Sequence, residues 1–206
     1  YTMDRWSDLC AAVESLLVQT VPPLEIAVVV DHNPELLARA RIELSSVRVI
    51  ASAGARGLSG GRNTGVAATT GDVIAFLDDD AVADPAWIQC LTEPFRDPQV
   101  VAVGGRVEPR WDAPRPVWLP PEFDWVVGCT YSGHREDAGE IRNVIGANMS
   151  LRRSAITVVG GFVEGIGRSA TRPEGCEETE WCIRARQEIP GALVWYAPDA
   201  RVGHRV

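Results

Sequence analysis

The first half of the chain alternates between two kinds of segment, and this restricts its fold more than any other feature. Short runs rich in β-branched residues, LEIAVVV (24–30), VRVIA (47–51), DVIAFL (72–77) and VVAVGG (100–105), are apolar on both faces. Stretches with helical spacing lie before and between them, at 5–19, 34–44 and 84–95. A glycine-rich loop, ARGLSGGRN (55–63), runs into a further helix ending near Thr70. Strands apolar on both faces, joined through helices by short connections, predict an α/β fold with a mostly parallel sheet covered by helices.

Two of these strands end in carboxylates: Asp31 follows the first, and Asp78, Asp79 and Asp80 follow the third. Ligands of open parallel sheets bind outside the carboxyl ends of the strands, so both acidic points are expected on one edge. An Asp-x-Asp at a strand end suits a hard divalent cation that also binds phosphate oxygens. The plain alternative is a solvated turn. The glycine-rich loop offers backbone N–H groups to a phosphate, with Arg62 adding charge, although glycine loops often only turn corners.

Composition narrows the chemistry. The 206 residues suffice for one domain, and a charge of −8 argues against a broad grip on nucleic acid or an anionic membrane. All 20 basic residues are Arg, which removes any mechanism that needs a lysine amine. Five cysteines without a CxxC spacing read as reduced thiols. No apolar run is long enough to span a bilayer and no signal-peptide pattern is visible, so the chain reads as cytoplasmic. Any membrane association is expected through segments outside it.

The pattern changes after Gly105. Residues 109–124 hold five Pro and two Trp and read as an ordered loop over a site. A mixed C-terminal part follows: a helix at 152–159, a glycine-rich stretch at 160–167, a helix at 177–188 and a strand at 192–197. In EGCEETEWC (174–182) four glutamates surround a helix start. They either complement the helix dipole or include a general base. His204, in the terminal RVGHRV, is either a hydrogen-bonded structural residue or the imidazole of a carboxylate-bound metal site.

Taken in order, VVVD (28–31), GLSGGRNTG (57–65), FLDDD (76–80), GANMSLRR (146–153), GGF (160–162), EETEW (177–181) and RVGH (201–204) resemble the family 2 glycosyltransferases, which have a GT-A fold. The resemblance implies a single GT-A domain over 1–206, with a nucleotide-sugar-binding half (1–105) and an acceptor-side half (106–206). Asp31 would read the nucleotide base, Arg62 and Asp79 would lie near the nucleotide, and Asp78 would contact the ribose or a metal-bound water. Asp80 and His204 would hold Mn²⁺ or Mg²⁺. Glu178 would be the general base, with Glu177 as the alternative, and Gly105, Arg106 and Asn148 would contact donor sugar or acceptor. The implied reaction is an inverting transfer from a nucleoside diphosphate sugar, a UDP-sugar, to an acceptor hydroxyl. The family's first strand has no counterpart, and Tyr1-Thr2 looks like the remnant of the turn that follows it.

Two other readings compete. Asp78-Asp79-Asp80-Ala81-Val82 matches the DxDx(T/V) signature of haloacid dehalogenase-type phosphatases, with Asp78 as nucleophile, but the lysine that steadies the phosphoryl group there does not exist in this chain. The other is a catalytically inactive sugar-nucleotide-binding fragment of a larger protein.

Overall fold

The computed structural model describes residues 5–168 and 175–206. In chain order the elements are α1 (Trp6–Leu17), β1 (Ala27–Val30), α2 (Pro34–Glu43), β2 (Arg48–Ala51), α3 (Leu58–Ala68), β3 (Val73–Leu77), β4 (Ala81–Ala83) and α4 (Trp87–Thr92). They continue with β5 (Val100–Arg110), β6 (Gly139–Glu140), β7 (Asn148–Arg152), α5 (Arg153–Val159), α6 (Glu177–Glu188) and β8 (Leu193–Arg205). Local chemistry accounts for several boundaries. Pro34 opens α2, and the Asn33 side chain caps it by accepting from the Leu36 N–H at 3.0 Å.

The α/β class holds, but the sheet is mixed rather than mostly parallel. β1 and β2 form a parallel pair by themselves, while a six-stranded sheet runs β3-β7-β5-β8-β4, with β6 also on β8. Within it only β5 and β8 are parallel. β7, supplied by the second half of the chain, inserts antiparallel between β3 and β5. Apolar runs reveal that a strand exists but not which distant strand it will pair with.

Two further expectations are corrected. SGGRN lies inside α3 rather than in a loop, because helix begins at Leu58. Gly60 is there for closeness, since a Cβ on it would sit 1.9 Å from the Ala55 carbonyl oxygen. β5 and β8 also run well past their apolar starts, with Arg106 to Arg110 pairing Arg201 to Arg205 in register. These ends alternate buried and exposed residues, so no apolar run marked them.

The helices cover the sheet from both sides. Trp181, Cys182 and Ala185 of α6 pack with Met149, Leu151 and Val194 on one face, and Trp87 and Leu91 of α4 pack with Val103, Val107 and Val202 on the other. α1, α2 and β1 make a third cluster through Leu9, Val13, Val30 and Leu36. Among the described residues, β1 pairs only with β2 and β3 only with β7. The unpaired sides of both strands line a cavity of about 450 Å³, flanked by α1, α3 and α4. No helix among the described residues is long and apolar enough to cross a membrane.

Candidate active site

The carboxylates at the strand ends are brought together as the strand pattern predicts. Asp31, Asp78 and Asp79 all line the cavity between β1 and β3. Asp31 is held in place: its Oδ2 accepts from the Gly57 N–H at 3.0 Å and its Oδ1 lies 2.7 Å from His32 Nδ1. Gly57 presents that N–H at φ +124°, a conformation that other residues rarely adopt.

Asp78, Asp80 and His204 each offer one ligand atom, and these atoms lie within 4.8 Å of one another. β4 pairs with the end of β8, with Ala81 opposite His204, so the imidazole arrives beside the third aspartate. His204 Nε2 is 3.2 Å from Asp80 Oδ1, and its Nδ1 lies 3.8 Å from the Cys129 thiol. Arg5 donates to Asp80 Oδ2 at 2.6 Å and lies 3.8 Å from Asp79.

These contacts set the protonation states. Burial alone pushes the His204 pKa down, but the Asp80 hydrogen bond and charge, with Cys129, outweigh it and raise the pKa to about 10. Burial pushes Asp80 up, yet the His204 hydrogen bond and charge, with Arg5, hold it below the ordinary carboxylate value. Asp79 rises to about 6, first through burial and then through the charge of Asp80. Two carboxylates and an imidazole fit a divalent cation such as Mn²⁺ or Mg²⁺ once the cation displaces the proton that His204 shares with Asp80.

Arg62 connects this cluster to α6. Its guanidinium donates to Glu177, reaches Asp78 Oδ1 at 3.4 Å, and donates to the Gly146 carbonyl at 3.2 Å. Glu177 is 2% exposed and paired, whereas Glu178, the next residue, has no ion-pair partner among the described residues and accepts from Thr179 Oγ1 at 3.2 Å. Burial, then the charge of Glu177, raises the Glu178 pKa. A carboxylate with raised proton affinity, next in sequence to a residue held by Arg62, has the properties of a general base.

Two residues expected to contact sugar do something else. Asn148 is fully buried; it accepts from Trp87 Nε1 at 2.8 Å and donates to the carbonyls of Arg106 at 2.9 Å and Ala200 at 2.7 Å. Its amide ties β5, β8 and α4 together, with both N–H groups used on backbone carbonyls. Gly105 is packed beneath it, where a Cβ would lie 2.0 Å from Ala200 O and 2.4 Å from Asn148 Nδ2. Arg106 is half-buried and lies 3.9 Å from Glu108. The Pro-rich segment folds back through a part-buried ion pair, Arg115 to Asp124 at 2.6 and 3.1 Å, and carries a 3₁₀ turn at Pro121–Val127. Trp118, Phe123 and Trp125 point outward from it. Arg5 and Cys129 were not anticipated, because no local motif marks a residue that reaches the site only through folding.

The mixed sheet, the covering helices and the carboxylate–imidazole cluster at the strand ends define a glycosyltransferase domain of GT-A type. The chain superimposes on the crystal structure of GalNAc-T7 with UDP, GalNAc and Mn²⁺ with a TM-score of 0.70, at 20% identity, covering 98% of this chain and 41% of that one. Residues 2–160 match the glycosyl transferase family 2. Over its full length the chain is 38% identical to glucosyl-dolichyl phosphate glucuronosyltransferase of Haloferax volcanii, spanning 67% of that protein. It is 33% identical to the pre-mycofactocin glycosyltransferase of Mycobacterium tuberculosis over 72% of this chain and 30% of that one. The chain belongs to glycosyl transferase family 2. The phosphatase alternative gives way to this family membership.

Proposed function

We propose that this domain catalyses an inverting transfer of a sugar from a UDP-sugar to an acceptor hydroxyl. The observation that carries the reading is Arg62, which contacts Asp78 of the carboxylate–imidazole cluster and Glu177 at the start of α6. In this reading a candidate metal-binding set and, one residue beyond Glu177, a candidate base lie on the two sides of one guanidinium.

Asp80 and His204, with Asp78, would hold Mn²⁺ or Mg²⁺. Such a cation, when bound, neutralises charge on the leaving diphosphate. Asp31 and Asp79, which line the cavity, would face the nucleotide. Glu178 takes the proton of the acceptor hydroxyl. The acceptor oxygen then bonds to the anomeric carbon, while the bond to the nucleoside diphosphate breaks on the opposite face and its electron pair leaves with the diphosphate. A positioned base contributes on the order of 10²–10⁴-fold.

We read the acceptor as a lipid-linked sugar. The 38% identical relative carries a dolichyl phosphate substrate in its name. The exposed Trp118, Phe123 and Trp125 also lie on the segment that leads to Cys129, beside His204. Aromatic side chains of this kind favour the boundary between water and hydrocarbon.

The test is calorimetric titration of UDP with and without Mn²⁺, followed by determination of the anomeric configuration of the product from UDP-sugars. Metal-dependent binding and an inverted product support the reading. Binding that ignores the metal, or a retained configuration, overturns it. Binding without turnover would favour the second reading, a catalytically inactive sugar-nucleotide-binding fragment of a larger protein, to which the sides of β1 and β3 left unpaired among the described residues lend support.

A further inference from the structure

The guanidinium of Arg62 is committed to protein groups. From α3 it reaches the end of β3 through Asp78, the approach to β7 through the Gly146 carbonyl, and the first residue of α6 through Glu177. It is 9% exposed and lies 5.6 Å from the centre of the Phe162 ring. An arginine that grips a diphosphate keeps donors of its planar fork open toward solvent. This one is turned inward.

The far end of the contact needs such a hold. α6 starts without a side-chain cap, and its preceding residue, Cys176, has φ +81°. Glu177 packs beneath Gly167, where a Cβ would lie 2.8 Å from Glu177 Oε2. That oxygen accepts no hydrogen bond among the described residues. Among the described residues, Arg62 is thus the polar partner that ties the first residue of α6 to α3 and β3, while Glu180 further along the turn is held by Arg184.

We propose that Arg62 is a positioning residue which, through Glu177 and Asp78, holds the first turn of α6, and Glu178 with it, in register with the carboxylate–imidazole cluster. The inference rests on the reading of Glu178 as the base. A misplacement of about 1 Å in a reacting group costs on the order of 10²-fold in rate. Removing the strut therefore acts on turnover and spares the affinity for nucleotide.

The test compares Arg62→Lys, which keeps a cation but loses the fork, with Glu177→Gln, which keeps the shape but loses the charge. Amide hydrogen exchange in residues 177–182, UDP affinity with Mn²⁺, and kcat and KM are measured well below the unfolding temperature of each variant. Both variants are expected to accelerate exchange in the first turn of α6 about tenfold while leaving α4 unchanged. They are also expected to lower kcat about 10²-fold and to leave UDP affinity within about threefold, with the double variant no worse than either single one. Unchanged exchange at 177–182 overturns the proposal. So does a Lys variant that loses UDP affinity while the Gln variant keeps it, since Arg62 would then be a phosphate ligand. Wild-type turnover in Glu178→Gln would instead overturn the assignment of the base, and the exchange result would stand apart from it.

Discussion

His204 Nε2 lies 3.2 Å from Asp80 Oδ1, joining the last strand of the chain to the turn after β3. The two groups meet because β4 and β8 pair with Ala81 opposite His204. A divalent cation that enters here must use Asp80, so Asp80→Ala is expected to weaken Mn²⁺-dependent binding of UDP at least about tenfold. His204→Ala is expected to have a similar effect. Calorimetry with and without Mn²⁺ decides it: equal affinities for wild type and both variants would place the metal elsewhere.

Glu178→Gln is expected to lower kcat about 10²–10⁴-fold with little change in UDP affinity. Burial and Glu177 raise the pKa of Glu178, so the folded state holds this proton more tightly than the unfolded chain does. That favourable contribution is complete at pH below the ordinary glutamate value and is lost as pH rises through the raised one. Removing the charge should therefore leave the melting temperature at neutral pH equal or higher. A marked fall in melting temperature would mean that the carboxylate stabilises the fold.

The same shift sets the pH profile of turnover. A base works only when ionised, so the rate is expected to fall as pH drops through the raised Glu178 value, above the usual glutamate range. A profile of kcat/KM that is flat down to pH 4.5, the ordinary glutamate value, would argue against Glu178.

Asn148→Ala is expected to be a stability variant. It strands the Trp87 indole N–H and the buried carbonyl of Ala200, along with the half-buried Arg106 carbonyl. Each stranded polar group costs on the order of 1–3 kcal/mol, so a loss of about 3 kcal/mol is expected in urea denaturation. A loss below about 1 kcal/mol would mean that water replaces the amide and that the site is more open than its burial indicates.

The unpaired sides of β1 and β3 are expected to accept an extended apolar segment. Arg5, just ahead of α1, contacts Asp80 after the end of β3. Extending the protein ahead of Tyr1 with such a segment should raise the melting temperature and reduce binding of an apolar dye. No change in either would leave the cavity as a ligand site alone.

Much of the site could be read from the chain before it folded. β-branched runs, helical spacing and the Asn33-Pro34 start of α2 are local signals, so element order and the acidic strand ends at Asp31 and Asp78 to Asp80 followed from residues a few positions apart. The ordered motifs added the expectation of a base at Glu177 or Glu178. Spacing could not separate those two neighbours; the fold buries Glu177 against Arg62 and leaves Glu178 without an ion-pair partner among the described residues.

The rest was decided by pairings between distant segments, which leave no local signature. The antiparallel insertion of β7 turned an expected parallel sheet into a mixed one. It also placed Asn148 inside the sheet, where its amide satisfies backbone groups instead of a sugar. Composition and periodicity report what each segment wants to bury. Which carboxylate ends up paired, which is left to accept a proton and which faces an imidazole depends on neighbours that only the folded chain supplies.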